Sequence, residues 1–278
     1  MESLAGSICV VTGAASGIGL HTALELAEQG GTVALLDVRQ EALDACVEAF
    51  APLSGDALSF ICDVTSDVDL QRVRGELEAR FQRVDILVNN AGTAVFDYFE
   101  AMPADLFDRV MAVNFGGAVK TTRYLLPLLR RSKRAQLVNV ASIGAFSTAP
   151  GYSSYGASKY ALRAFSEALS QEFPEEELQV LTVFPGGIRT GLEQNSVAIL
   201  GVGDAAAAAD ETRGGTSADS AGKQIVRAIR RRRRRLFIGV DAKLLYLFER
   251  VAPGLLLTLM GRWVRRASAR AAQESASE

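Results

Sequence analysis

Histidine occurs once in the 278 residues, as His21, and cysteine three times, as Cys9, Cys46 and Cys62. One imidazole and three scattered thiols supply neither the ligand set nor the spacing of a transition-metal site, so no metal is expected. The cysteines are odd in number, lie in apolar runs and form no redox pair, which reads as buried, reduced thiols in a cytoplasmic protein. The opening residues, Met1-Glu2-Ser3-Leu4-Ala5-Gly6, lack the basic segment and apolar core of a secretory signal, and the chain is expected to stay where it is made. In the apolar C-terminal stretch the longest uncharged run, Val251 to Gly261, is eleven residues and contains Pro253-Gly254, too short and broken to span a membrane. What remains is an ordinary globular composition: 49% hydrophobic, 22% charged and 7% aromatic residues. A chain of this length buries roughly 70–75% of its unfolded surface, enough for one large core.

Short β-branched runs alternate with longer segments of helical period. Ile8-Cys9-Val10-Val11 reads as a strand and Ile18 to Gln29 as a helix with Leu20, Ala23, Leu24 and Ala27 on one face. Further strands are expected at Thr32–Asp37, Ala57–Cys62, Asp85–Asn89, Gln136–Ala141 and Gln179–Phe184, with helices near 40–50, 66–82, 103–130 and 153–173. Val180-Leu181-Thr182-Val183-Phe184 is apolar nearly throughout, as a strand covered on both faces must be. The fold class is therefore α/β: a doubly wound parallel sheet of about seven strands with helices on both faces. Residues 1–240 are expected to form one domain, with Gly191–Ser217, rich in Ala and Gly, as a flap over the substrate. A helix from about Ala218 to Arg234 ends in six consecutive arginines, Arg230 to Arg235, and Leu236-Phe237-Ile238 follows as a last strand. Residues 241–278 are expected to form an apolar and basic helical extension. Residues 223–278 hold fourteen Lys/Arg against four Asp/Glu, an excess of +10 in a chain whose total is -2.

The first strand runs into Thr12-Gly13-Ala14-Ala15-Ser16-Gly17-Ile18-Gly19, where glycines let the backbone approach a pyrophosphate and the helix N-terminus supplies positive potential. Asp37 ends the second strand, placed to accept hydrogen bonds from an adenosine ribose and to repel a 2′-phosphate. No Lys or Arg occurs among Ala14, Ala15 and Ser16, and Arg39 is the only nearby base. NAD is preferred over NADP. The alternative role for Asp37 is to cap the following helix.

With the spacing GxxxGxG, the sequence resembles the short-chain dehydrogenase/reductase family, in its single-domain branch, and further motifs follow in order. Asp63-Val64 resembles the family's adenine contact, and Asn89-Asn90-Ala91-Gly92 its stabiliser of the central sheet beside the cofactor. Asn114, Ser142, Tyr155 and Lys159 match its catalytic residues, the last two within Tyr155-Gly156-Ala157-Ser158-Lys159. Pro185-Gly186-Gly187-Ile188-Arg189-Thr190 is similar to the segment that holds the nicotinamide carboxamide. The resemblance covers residues 6 to about 190. It implies a Rossmann-type fold and an NAD(P)-dependent oxidoreductase of alcohols and ketones. It also implies a homodimer or homotetramer joined through the helices near 103–130 and 153–173.

Elementary chemistry agrees with these roles. Tyr155 and Lys159 are four apart and share a helix face. The Lys159 ammonium and an oxidised nicotinamide are both expected to favour the Tyr155 phenolate, making it an acid/base catalyst. Ser142 can stabilise charge on the substrate oxygen, Lys159 can also hold the nicotinamide ribose, and the resemblance implies that Asn114 positions a water that relays protons. Tyr124, Tyr152 and Tyr160 lack a basic partner in that register and are assigned to packing or the rim.

Specificity is expected from the loops 93–99, 144–152 and 187–200. These, with neighbouring Ile143, bring Val95, Phe96, Tyr98, Phe99, Phe146, Leu192, Val197, Ile199 and Leu200. That inventory suits a hydrophobic secondary alcohol or ketone. For the extension three placements stand open: packing over the substrate entrance or a partner subunit, lying in a membrane interface with its arginines on anionic headgroups, or a loosely ordered appendage. No nucleic-acid recognition motif accompanies the arginine run, so nucleic acid is not expected. A non-catalytic nucleotide-binding protein is the alternative of another class, opposed by the complete Asn114, Ser142, Tyr155, Lys159 set.

Overall fold

The computed structural model describes residues 3–189, 197–198 and 215–252, and beyond them 254, 255, 258 and 261. Seven parallel strands form the central sheet: β1 (Ile8–Thr12), β2 (Thr32–Asp37), β3 (Ala57–Ile61), β4 (Ile86–Asn89), β5 (Gln136–Val140), β6 (Gln179–Pro185) and β7 (Arg235–Ile238). Their order is β3-β2-β1-β4-β5-β6-β7, the doubly wound arrangement expected. Order reverses between β1 and β4, so their carboxyl ends flank a crevice where ligands of such sheets bind.

Strand side chains alternate between two helical layers. Val11, Val33, Leu35, Val138 and Leu181 meet α1 (Gly17–Glu28) and α7 (Ala218–Arg230) through Leu26, Ala27, Ile225 and Ile229. Val10, Ala34, Leu36, Leu87 and Val180 meet α3 (Asp67–Phe81) and α5 (Ala118–Leu129) through Leu70, Val73, Leu77, Leu125 and Leu128. A side chain at Gly222 would overlap the His21 carbonyl, so this glycine sets how closely α7 lies on α1. Cys9, Cys46 and Cys62 are all buried and free. Among the described residues no cluster of His, Cys, Asp or Glu could hold a metal ion.

Departures from the expected elements are local. The stretch near 40–50 divides into α2 (Gln40–Val47) and a 3-10 turn (Glu48–Phe50). The 103–130 helix divides into α4 (Ala104–Met111), a π-helical segment (Ala112–Gly117) and α5. Helix α7 stops at Arg230, four residues short of expectation, because the chain turns through Arg232 in a left-handed conformation (φ +48°) to enter β7. The arginine run is then tied to the body: Arg234 pairs with Glu175, Arg235 with Glu167 at 3.1 Å, and Arg232 donates to the Glu175 carbonyl at 2.7 Å. Short ladders missed in the sequence join Val95–Phe96 to Val197–Ala198 and Ile188–Arg189 to Thr216–Ser217. Most of the expected 191–217 flap lies outside the described residues. After α6 (Ser153–Glu172), β6, α7 and β7, the extension opens with α8 (Val240–Val251).

Candidate active site

The end of β1 is fastened to the loop after β4. The Thr12 hydroxyl accepts from the backbone N–H groups of Asn90 and Ala91, each at 3.0 Å, and the Asn90 amide donates to the carbonyls of Thr12 at 3.0 Å and Gly13 at 3.1 Å. Gly13 has φ +62°, and a Cβ there would lie 2.8 Å from Ala91 Cα; a Cβ on Gly19 would overlap the Gly13 carbonyl. Only glycines fit this turn. Helix α1 then starts at Gly17, and Ser16 places no side-chain bond on its first turn, which also holds no acid. The Gly17, Ile18 and Gly19 end of the helix therefore keeps its positive potential for an anion. A pyrophosphate fits these features.

Asp37 is buried, with Oδ2 accepting from the Ala15 N–H at 3.1 Å. Its Oδ1 accepts from the N–H and Nε of Arg39 at 3.2 and 3.1 Å, and Arg39 Nη2 donates to Ser16 Oγ at 3.0 Å. The carboxylate thus joins β2 to the glycine turn, a role beyond the ribose contact assigned from sequence. Nearby, exposed Asp63 accepts from Thr65 N and Oγ1, both at 2.8 Å, while buried Val64 packs against Gly117.

The four residues matched to the family's catalytic set converge. Ser142 lies just past β5, and its Oγ accepts from the Gly144 N–H at 3.0 Å and is hydrogen-bonded to Tyr155. One turn along α6 from Tyr155, the Lys159 ammonium lies 5.6 Å from the Tyr155 ring centroid and donates to the Val140 carbonyl at 3.0 Å. Asn114, in the π-helical segment, accepts from Thr93 N–H at 2.8 Å; its amide donates to the Thr93 carbonyl at 2.9 Å and Ser158 Oγ at 3.0 Å. Both amide hydrogens are taken, so the side chain offers a relay water only an Oδ1 lone pair. Gly92 sits between them: a Cβ would lie 3.2 Å from Asn114 Oδ1 and 3.6 Å from Lys159 Nζ.

Burial of the phenol acts against the lowering of the Tyr155 pKa expected from Lys159 and the nicotinamide. Burial raises the phenol, and the Ser142 hydrogen bond opposes that only in part. Burial pulls Lys159 from 10.5 down to about 8, leaving it largely protonated at neutral pH.

After β6, Gly186 and Gly187 meet the start of α8. The Gly187 N–H donates to Asp241 Oδ2 at 2.7 Å, and a Cβ on Gly186 would overlap the same carboxylate. Asp241 was not singled out in the sequence, where only the glycine pair signalled close approach. Buried Ile188 pairs with Thr216 across the short ladder. Thr190 lies outside the described residues.

The substrate side needs correction. Val95 packs with Met102 and Val110, and Phe146 joins Phe184, Phe237 and Tyr246, so both are core rather than lining. Phe99 points to solvent at 74% exposure, with Phe107 edge-on at 6.3 Å. Phe96 packs at a tilt against Tyr152 with ring centroids 4.5 Å apart, bringing the loop to the residue before α6. Side chains of Leu192, Val197, Ile199 and Leu200 lie outside the described residues. Asp97 was overlooked: it is wholly buried, its N–H donates to the Gly151 carbonyl at 3.0 Å, and neither carboxylate oxygen has a hydrogen-bond partner. No pattern marks a lone acid of this kind.

Residues 7–199 match the sequence profile of the short chain dehydrogenases. The chain belongs to the short-chain dehydrogenase/reductase family. It is an oxidoreductase of that family. It is 31% identical over 255 residues to the protein SadH of Mycobacterium tuberculosis, covering 90% of this chain and 92% of that one. It is 35% identical over 196 residues to a fatty acyl-CoA reductase of Acinetobacter baylyi, covering 68% of this chain and 65% of that protein, so it spans under two thirds of that relative's length. A short-chain dehydrogenase of Streptomyces avermitilis superposes with a TM-score of 0.79 at 29% identity, over 95% of this chain and 98% of that one. A family structure from Burkholderia phymatum in complex with NAD reaches 0.82 at 23% identity, over 92% of this chain and 97% of that one, a likeness of fold.

Proposed function

We propose that this oxidoreductase interconverts a hydrophobic secondary alcohol and its ketone with NAD, using Tyr155 as general acid/base. The observation that carries the reading is the convergence of Ser142, Tyr155 and Lys159 beside an uncapped helix N-terminus at the topological switch point. Bound there, NAD would supply hydride chemistry, as acceptor for alcohol oxidation and, in its reduced form, as donor for carbonyl reduction. Tyr155 takes the hydroxyl proton during oxidation and gives it back during reduction. Ser142, aimed by the Gly144 N–H, donates to the substrate oxygen as charge develops there. Lys159 holds positive charge beside the phenol and is placed to bind ribose hydroxyls. Gly13, Ser16 to Gly19, Asp37, Asp63, Val64, Asn90 to Gly92, Pro185, Gly186, Ile188 and Thr190 would hold the cofactor. Residues 1–240 would be the catalytic domain, with self-association through α4, α5 and α6.

Asp37 supports NAD by disfavouring a 2′-phosphate. The NADPH-dependent carbonyl reductase is the second reading, favoured by one observation: Arg39 already reaches Ser16 in the glycine turn. An apolar substrate is supported by relatives named for acyl thioesters, the fatty acyl-CoA reductase and the 3-oxoacyl-[acyl-carrier-protein] reductase FabG of Thermotoga maritima. Purified protein with NAD⁺ and a panel of alcohols, followed by NADH absorbance, tests the reading. Turnover of alicyclic, aromatic or long-chain secondary alcohols is expected, and turnover confined to polyols would overturn it.

A further inference from the structure

Helix α8 carries an apolar stripe that the fold leaves uncovered. Val240, Leu244, Leu247 and Val251 are 71, 61, 60 and 77% exposed, and at three- and four-residue spacing they line one side of the helix. Its opposite side is fixed to the body: Ala242 is buried and Tyr246 packs edge-on against Phe146 at 4.9 Å. Lys243 and Arg250, seven residues apart, are exposed along one edge of the stripe, and no partner is recorded for either among the described residues. On the other edge, Asp241 is engaged by Gly187.

We infer that α8 seats this protein on an anionic lipid surface, its apolar stripe lying in the interface and Lys243 and Arg250 among the headgroups. An amphipathic helix of this kind lies in the plane of a bilayer, and no helix among the described residues is long and apolar enough to cross one. The sequence beyond adds Arg262, Arg265, Arg266 and Arg270 against Glu274 and Glu278, so the positive charge continues past the stripe. Within Arg230–Arg235, Arg232, Arg234 and Arg235 are held by Glu167 and Glu175, so these three are not the contact. Charge also disfavours a second copy as the occupant. A two-fold pairing of this face would bring cationic edges together, and Glu249 lies near Tyr160 on the body. Through Asp241 and Tyr246 the same helix touches the 186–187 loop and the Phe146 cluster. Lipid contact would thus lie beside the candidate active site, although the contact does not depend on the proposed chemistry.

Sedimentation of the full-length protein with phosphatidylglycerol vesicles and with phosphatidylcholine vesicles tests this directly. Binding to the anionic vesicles at low salt is expected, weakened roughly 30-fold by Lys243→Gln with Arg250→Gln, as two headgroup charges would give. A Leu244→Ser, Leu247→Ser, Val251→Ser variant, its fold checked by circular dichroism, should lose binding more than tenfold, as expected from the apolar area removed. Wild type remaining in the supernatant with phosphatidylglycerol would overturn the inference. So would vesicle binding unchanged in the triple variant, or a drop in oligomeric state of that variant without lipid, which would assign the stripe to a second copy.

Discussion

Lys159 Nζ stands 5.6 Å from the centre of the Tyr155 ring while donating to the Val140 carbonyl at 3.0 Å. The ammonium is thus held beside the phenol by the end of β5, at the cost of burying a charge. Its folded pKa, about 8, lies below 10.5 for the exposed group. Between those values the unfolded chain binds the extra proton, so stability from this group rises with pH across that window, and the full penalty applies below it. Lys159→Met should therefore gain stability relative to wild type near pH 7, and that advantage should shrink by roughly 3 kcal/mol as pH approaches 10.5. Denaturant unfolding of both proteins across this range measures it; a pH-independent difference would contradict the depressed pKa.

Asp37 both anchors the glycine turn through Ala15 and neutralises Arg39. Asp37→Ser should release Arg39 toward a 2′-phosphate and move the NAD⁺ to NADP⁺ ratio of kcat/KM by roughly tenfold or more, the scale of one charge-assisted contact. Adding Arg39→Ala should remove the gain for NADP⁺. An unchanged preference in Asp37→Ser would show that another group selects the cofactor.

Asp97 is a buried carboxylate with both oxygens unpartnered. Asp97→Ala should raise unfolding stability by roughly 1–3 kcal/mol, because an uncompensated polar group is removed from the interior. A destabilised variant would reveal that the carboxylate has a compensating contact in solution.

The sequence carried most of this architecture because the chemistry is local. β1, the glycine turn and α1 are contiguous, and Tyr155 and Lys159 are one helical turn apart, so spacing alone placed them. What it hid depends on chain segments meeting at a distance. The π-helical segment that turns Asn114 toward Thr93 and Ser158 lies inside an unbroken helical pattern. Asp241 reaches Gly187 from fifty-four residues away. Phe146 looked like a pocket residue by loop position, but partners on β6, β7 and α8 draw it into an aromatic cluster. The raised Tyr155 pKa follows from burial, which no spacing reports.

The central claim, that Tyr155 moves the substrate proton, is tested most directly by Tyr155→Phe, which keeps the ring and removes only the hydroxyl. Oxidation of a hydrophobic secondary alcohol with NAD⁺ should fall in kcat by roughly 10²–10⁴-fold, the scale of general acid/base catalysis. NADH affinity, read by fluorescence titration of the same protein, should stay within about threefold, a shift of under 1 kcal/mol. Retention of wild-type kcat by a variant that still binds NADH would contradict the assignment of Tyr155 as the acid/base group.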